Sequence, residues 1–208
     1  ADKTCVAAYA IWDQAKNYGM KYNETNLICL EMGFGYNAAM IVENGQIIDG
    51  IGGTIFPGPG YLTLSLMDGE LAYLLGGFTK LKLFEGGVSH IATFDSGAKI
   101  IEPDDFARGI ESREKSCVMA WSSMLEGIVK AIGMGLTVLK KKPKEVILTG
   151  RLSRIKTIFG GVKEELGRKL SLQVRSPKRF TKKAKDVAQG AAIIANGIEG
   201  GEYAPLVD

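Results

Sequence analysis

Histidine and cysteine are scarce in this sequence, and their scarcity excludes several kinds of metal site. His90 is the only histidine, so a zinc site built from several histidines is excluded. The three cysteines, Cys5, Cys29 and Cys117, lie far apart and show no metal-ligand spacing. An odd, unclustered set of cysteines is typical of reduced thiols, so we expect a cytoplasmic protein.

Long apolar runs are also missing. No apolar stretch approaches the roughly 20 residues that span a bilayer, and no secretory signal pattern opens the chain. The net charge of +3 comes from 26 basic and 23 acidic residues, a balance that requires no acidic partner. We therefore expect an ordinary globular protein with no membrane segment, in which nucleic-acid binding is not the favoured function.

Glycine, in contrast, is abundant, with 27 residues of 208, about 13% against about 7% in ordinary proteins. Several glycines come in close groups, such as Gly33 with Gly35 and Gly52 with Gly53. Glycine suits positions where the backbone takes a positive φ or approaches another group closely. Two interpretations stay open: several tight turns around one ligand, or a protein that simply has many loops.

The first quarter of the chain predicts one helix and three antiparallel strands. Residues 2–18 have helical apolar spacing, and Gly19 stops the helix. Short apolar runs at 26–32, 37–43 and 46–51 predict strands, and Asn44-Gly45 between the last two favours a two-residue hairpin turn. This part of the chain is therefore expected to form an antiparallel meander.

The region from about 54 to 110 is expected to be an irregular insertion. Ser65 with Asp68 resembles a capping box for a helix through Leu75 that has an apolar face. Residues 88–94 are expected to form a strand, and Pro103 a short helical turn.

The second half predicts alternating helices and strands. A long apolar stripe at 112–139 indicates a buried helix whose glycines, Gly127, Gly133 and Gly135, imply close backbone packing. Strands are expected at 145–149 and 171–174, and helices after each of them. The basic run from 175 to 185 is interpreted as a solvated linker, since only one aromatic residue could stack on nucleic-acid bases. The order predicts an α/β fold with a mixed sheet, in which three antiparallel strands continue into strand–helix crossovers.

Three motifs resemble known ones. The segments LEMGFGYNAAMIVENGQIIDGIGGT (30–54) and EVILTGRLSRI (145–155) resemble the second phosphate motif and the adenosine motif of the actin-like ATPase (ribonuclease H-like) superfamily. The pattern GGT–FPGP–DGE–AYLLG within 52–76 is similar to that of the archaeal family called predicted butyrate kinases. The resemblance covers residues 19–208 and implies the carboxyl-terminal lobe of a two-lobed enzyme. On this alignment, residues 1–19 form a helix that ends a missing amino-terminal lobe.

The resemblance and the glycine pattern together select candidate site residues. A turn made of Gly33-Phe34-Gly35 presents backbone N–H groups to a phosphate, and the loop after the strand at 145–149 suits a nucleoside. An ordinary glycine hairpin, and a strand–helix connection capped by Ser153, are the alternatives that stay open. The expected nucleotide contacts are Gly33, Phe34, Gly35, Tyr36, Gly52, Gly53, Thr54, Thr149, Gly150, Arg151, Leu152 and Ser153. Glu31 is expected to orient Mg²⁺ through water.

The function that the resemblance implies is that of an ATP-dependent small-molecule kinase. The cofactors would be ATP and Mg²⁺, and the acceptor a short-chain carboxylate such as butyrate. Because phosphoryl transfer needs charge neutralisation from several sides, this chain alone is expected to be nearly inactive. The alternative is a non-catalytic actin-like module that binds nucleotide or protein, and a homodimer is expected by analogy. No catalytic base is identified.

Overall fold

The computed structural model of the protein describes residues 2–77, 79–94, 97 and 100–207. The helices are α1 Asp2–Tyr18, α2 Gly69–Leu75, α3 Val88–Thr93, α4 Pro103–Glu111, α5 Lys115–Val138, α6 Lys156–Leu170, α7 Asp186–Ile198 and α8 Ala204–Val207. The strands are β1 Leu27–Met32, β2 Asn37–Glu43, β3 Gln46–Gly52, β4 Glu145–Thr149 and β5 Val174–Arg175. Short 3₁₀ turns occur at Tyr22–Glu24, Gly53–Ile55, Lys80–Phe84 and Leu152–Arg154.

The five strands form one mixed sheet in the order β3-β2-β1-β4-β5. Strands β1, β2 and β3 pair antiparallel, whereas β4 pairs parallel to both β1 and β5. Asn44 and Gly45 join β2 to β3 with φ values of 51° and 77°, as the predicted two-residue turn requires. The predicted mixed sheet, with an antiparallel meander leading into crossovers, is confirmed.

One face of the sheet carries the main apolar core. Ile28, Leu30 and Met32 of β1 point to this face because alternate residues of a strand share a side. They pack with Val146 and Leu148 of β4 against α5 and α6.

The other face is covered by α1 and α7. Leu27 and Cys29 of β1 pack here against Val6 and Ala10 of α1, with Val187 of α7 beside them. The helix predicted at residues 2–18 is therefore one wall of this body, and its role as the end of another lobe stays a prediction.

This second face also buries an ionic network. Arg175 of β5 donates from Nε and Nη2 to Glu145 of β4 at 2.6 and 2.8 Å, and from Nη1 to Asp13 of α1. Gln14 and Tyr18 of α1 also donate to Glu145. Burial lowers the pKa of Arg175, but its hydrogen bonds to the two carboxylates outweigh this effect and raise the pKa above its ordinary value. The network ties α1, β4 and β5 together.

Among the helices that the structure describes, α5 alone is long and apolar enough to cross a membrane by length and composition. The sequence prediction had found no stretch of this kind. Trp121, Met124, Ile128 and Ile132 of this helix are buried in the core against the sheet, and the core helix of a soluble protein passes the same test of length and apolarity.

The glycines of α5 differ in their surroundings. A Cβ on Gly127 would overlap the carbonyl oxygen of Pro57 and lie 2.8 Å from the Cα of Gly58, so the predicted close backbone packing is confirmed there. A Cβ on Gly135 would meet the side chain of Ile41. No described atom lies within 4 Å of a Cβ on Gly133, so the same expectation is wrong for that residue.

The insertion contains two corrections. The segment predicted as a strand at 88–94 contains the helix α3, Val88–Thr93, because Val88, Ser89, Ala92 and Thr93 make one buried side that packs on α5. Asp68 caps α2 and accepts from the N–H of Leu71, so the capping box with Ser65 is wrong.

The expected apolar face of α2 is exposed. Leu71, Tyr73, Leu74 and Leu75 have exposed fractions of 48%, 83%, 78% and 48%. The prediction of a helix at this place is confirmed, and its apolar side chains face outward.

Two predicted boundaries also shift. The long helix begins at Lys115 because Ser112 caps the end of α4 and Arg113 takes a positive φ of 60°. The fifth strand is only Val174–Arg175, since Ser171 ends α6 in the left-handed conformation. The helix α8 lies beyond every predicted element.

Candidate functional site

Two turns meet at one edge of the sheet. Strands β1 and β4 are parallel neighbours, so their carboxyl ends, and the turns that follow them, lie side by side. Between these turns lies a cleft of about 600 Å³. The cleft is lined by Glu31, Gly33, Phe34, Gly150, Arg151, Arg154, Lys185, Asp186 and Val187.

The turn after β1 has open space and free hydrogen-bond donors that suit an anion. The N–H of Gly33 donates to the carbonyl of Tyr36 at 3.1 Å and closes the turn. Within the described part of the chain, the N–H groups of Phe34 and Gly35 donate to no protein acceptor. No described atom lies within 4 Å of a Cβ position on Gly35. The turn therefore has the free amides that a phosphate group needs.

The turn after β4 is fixed by its glycine. Gly150 has a φ of +91°, and a Cβ there would overlap the carbonyl oxygen of Met32. Its N–H donates to Oδ2 of Asp186 at 3.1 Å, and its carbonyl accepts from the hydroxyl of Ser153 at 2.9 Å. Ile155 precedes α6 as its N-cap, so Ser153 is not the helix cap that the alternative interpretation required.

Arg151 joins the two turns. Its guanidinium carbon lies 4.5 Å from the ring centroid of Phe34, a cation–π contact between the loops. The same guanidinium lies 3.3 Å from a carboxylate oxygen of Glu102, just before α4. The arginine that was predicted at this site therefore contacts both the first turn and the insertion.

Four cleft residues were missed by the sequence prediction: Arg154, Lys185, Asp186 and Val187. Asp186 lies 36 positions from Gly150, so no local pattern pairs them. The basic run at 175–185 is not a solvated linker along its whole length, as the sequence had predicted. Arg179 lies 3.2 Å from the buried carboxylate of Asp186, and Arg175 joins the network described above. For Asp186, the only local signal was an aspartate at a helix start.

Glu31, the expected magnesium residue, already has a basic partner. Its Oε2 accepts from Nζ of Lys3 at 2.6 Å. Burial lowers the pKa of Lys3, but the hydrogen bond and charge of Glu31, with Asp2 nearby, outweigh it and raise the pKa. Within the residues that the structure describes, no group of three or more candidate ligands could hold a metal ion. Glu31 can thus offer Mg²⁺ a single carboxylate, which suits an ion held mainly by phosphates and water.

The structure does not bring every predicted residue into the cleft. Gly52 pairs with Ala38 on the far side of β2, and Gly53 and Thr54 follow it, two strands away from Glu31. These residues, together with Gly35 and Tyr36, do not line the cleft.

The other predicted residues outside the lining are buried. Thr149, Leu152 and Ser153 have exposed fractions of 0%, 0% and 5%. The hydroxyl of Ser153 supports the second turn through its bond to Gly150, and the hydroxyl of Thr149 donates to the carbonyl of Leu30 at 3.4 Å.

Comparisons with known proteins define the class of fold. The structure is similar to that of an acetate kinase from Entamoeba histolytica, with a TM-score of 0.65 at 14% identity, covering 91% of this chain and 55% of the other. A propionate kinase from Francisella tularensis gives a TM-score of 0.67 at 15% identity, covering 89% and 53%. A ROK family protein from Streptococcus pneumoniae gives 0.62 at 15%, covering 96% and 65%. The α/β fold is therefore that of the actin-like ATPases.

The amino-acid sequence identifies the family to which the chain belongs. Residues 1–208 match the family described as "Protein of unknown function (DUF1464)", and the chain belongs to it. The chain is also 29% identical over 162 residues to a protein of Bacteroides thetaiotaomicron named "Probable butyrate kinase", covering 73% of this chain and 44% of that protein. The chain thus spans less than half of that relative and about half of the acetate and propionate kinases.

Proposed function

We propose that this chain is the nucleotide-binding lobe of an ATP-dependent small-molecule kinase. The observation that supports this most directly is the meeting of two glycine turns, after β1 and β4, in one cleft. Three basic side chains, Arg151, Arg154 and Lys185, line that cleft beside two carboxylates. Free amides at the first turn and this basic lining favour a polyphosphate.

The cleft residues have separate tasks in this proposal. The Gly33–Tyr36 turn would hold phosphate oxygens through backbone N–H groups. The Gly150 turn would place the nucleoside, and Arg151 would neutralise charge as the γ-phosphoryl group leaves ATP. The acceptor would be a short-chain carboxylate such as butyrate, as the name of the bacterial relative suggests. The Gly52–Thr54 segment would approach the nucleotide from the far side of β2.

The proposal includes a second lobe. One wall supplies charge from one side only, whereas phosphoryl transfer requires groups around the phosphate. We expect weak ATP binding and no turnover by this chain alone. Robust phosphorylation of butyrate by the isolated chain would contradict the two-lobe proposal.

The direct test is calorimetric titration with Mg-ATP. Gly150→Ala should abolish saturable binding, because the new Cβ would displace the turn from Met32. Gly200→Ala is the matched control, since Gly200 also has a positive φ of 72° and does not line the cleft. If the wild-type chain shows no saturation at millimolar ATP, or if both variants bind equally, the proposed site is wrong.

Glu31 would orient Mg²⁺ through water in this site. For this role Lys3 must release the carboxylate or share it with the hydrated ion. Glu31→Gln should then weaken ATP binding in Mg²⁺ and leave binding without Mg²⁺ unchanged. An equal effect in both conditions would assign Glu31 to the support of the turn instead.

A second candidate function is favoured by one observation. The apolar side chains of α2 are exposed, and such surface often marks a contact with another protein. A non-catalytic interaction module, or a homodimer, would use this helix. Sedimentation of the wild type and of Tyr73→Asp tests this function against the kinase proposal. A dimer that is lost in the variant, together with no ATP binding by the wild type, favours the interaction module.

The archaeal source and the cytoplasmic location also stay predictions.

A further inference from the structure

Asp186 is a buried carboxylate that belongs to none of the predicted motifs. Its side chain is 4% exposed, although it stands at the start of α7 and beside an open cleft. One oxygen, Oδ2, accepts the N–H of Gly150 at 3.1 Å. Asp186 therefore holds the backbone of the turn that precedes Arg151.

The second oxygen of Asp186 is held by charge alone. Oδ1 is buried and makes no hydrogen bond to any described residue. It lies 3.2 Å from Nε of Arg179 and 3.7 Å from Nη2 of Arg154, without hydrogen-bond geometry. A buried acceptor without a hydrogen bond is costly, so stability alone does not account for this arrangement.

An uncharged residue could hold the Gly150 turn as well. Asparagine offers the same acceptor to Gly150 and buries no charge, which avoids the desolvation of a carboxylate. What asparagine lacks is attraction for Arg154 and Arg179. The carboxylate thus serves to place two guanidinium groups as well as one amide.

We propose that Asp186 is the positioning residue of the cleft: it fixes the Gly150 turn and, through its ion pairs with Arg154 and Arg179, holds the cleft-lining Arg154 in place for a nucleotide polyphosphate. This inference rests on the proposed function. It extends that function to three residues that come from the 3₁₀ turn after β4, the segment before α7 and α7 itself.

The proposed role and simple electrostatics predict opposite changes in the affinity for ATP when the charge of Asp186 is removed. Removing a negative charge from an anion site should strengthen ATP binding if Asp186 is a bystander. If Asp186 positions the arginines, the same change should weaken binding. Asp186→Asn separates these cases, since it keeps an acceptor for Gly150 and loses the charge.

The experiment measures two properties of each variant. Amide hydrogen exchange at Gly150 reports the anchored turn, and calorimetry with Mg-ATP reports affinity. Asp186→Ala should speed exchange at Gly150 by about tenfold or more, as expected for loss of a hydrogen bond to a charged group. Asp186→Asn should largely keep that protection and weaken Mg-ATP binding by about fivefold.

Asp104→Asn is the matched control. Asp104 is exposed in the first turn of α4, so it shares the helix-dipole position of Asp186 and contacts neither turn. It should change neither measurement. All variants are compared at a temperature at which circular dichroism shows them folded.

Two results would overturn the inference. The first is unchanged Gly150 exchange in Asp186→Ala, and the second is Mg-ATP binding by Asp186→Asn that equals or exceeds the wild type. A wild-type chain that binds no Mg-ATP overturns the proposed function and the affinity part of this inference. The exchange data then still decide whether Asp186 anchors Gly150.

Discussion

The two faces of the sheet hold the protein together in different ways. The face toward α5 and α6 is an apolar core in which Ile28, Leu30 and Leu148 are fully buried. The face toward α1 and α7 has a smaller apolar cluster and adds buried charges, among them Asp13 and Glu145. The candidate cleft lies at the edge of the charged face, where ionic contacts already position the polar groups.

The largest expected effect is on the charged face. Arg175→Met leaves Asp13 and Glu145 buried without their cation, and breaking such a pair costs about 3–5 kcal/mol. Urea unfolding of the variant measures this loss.

The matched control for this variant is Arg168→Met. Arg168 also forms a bidentate pair, with Glu165, but its side chain is 62% exposed. Its removal should cost less than about 1 kcal/mol. Equal losses from the two variants would show that the buried network does not distinguish this face.

An intermediate effect is expected on the apolar face, from two glycines of α5. Gly127→Ala should destabilise the protein by about 1–3 kcal/mol, because its Cβ has no space beside Pro57. Gly133→Ala should stabilise it by about 1 kcal/mol, since the site is open and alanine favours helix. Thermal unfolding of both variants checks the signs. Two changes of the same sign would contradict the packing described for this helix.

The smallest effect on stability is expected beside the cleft, at the ion pair of Lys3 with Glu31. Lys3→Met should lower stability by less than about 1 kcal/mol, because the pair with Glu31 is partly exposed. The pKa of Lys3 is raised in the fold, so its contribution is complete at neutral pH and is lost as pH rises through the folded pKa, above 10.5. Urea midpoints of wild type and variant should therefore converge above that pH.

The exposed pair of Lys130 with Glu126 is the control for Lys3. Lys130→Met should change stability by no more than about 0.5 kcal/mol. A difference between wild type and Lys3→Met that grows at high pH would exclude the ion pair as its cause.

Most elements of the apolar face could be predicted from the sequence. The spacing of Trp121, Met124 and Ile128 gave the position of α5, and apolar runs gave β1, β2 and β4. These signals are local, because a helix or strand repeats its buried side every few residues. The prediction of a strand at 88–94 was wrong because a short apolar run fits a strand or a helix equally well. Its packing on α5, which is not a local signal, favours the helix.

The candidate cleft was predictable in part. The glycine turns after β1 and β4 were found because glycine marks a backbone requirement in its own position. The partners of these turns were missed. Asp186 and Lys3 come from α7 and α1, far along the chain from the residues that they contact.

Local patterns were enough to predict the mixed sheet, the long buried helix and the two glycine turns, since each depends on periodicity or on backbone freedom within a few residues. Which charges are buried, and with which partners, depends on the packing of elements that are distant along the chain. A carboxylate or guanidinium has the same local pattern whether it faces water or an ion pair. The burial of Asp13 with Arg175, and of Asp186 with Gly150, follows from the packing of α1 and α7 on one face of the sheet.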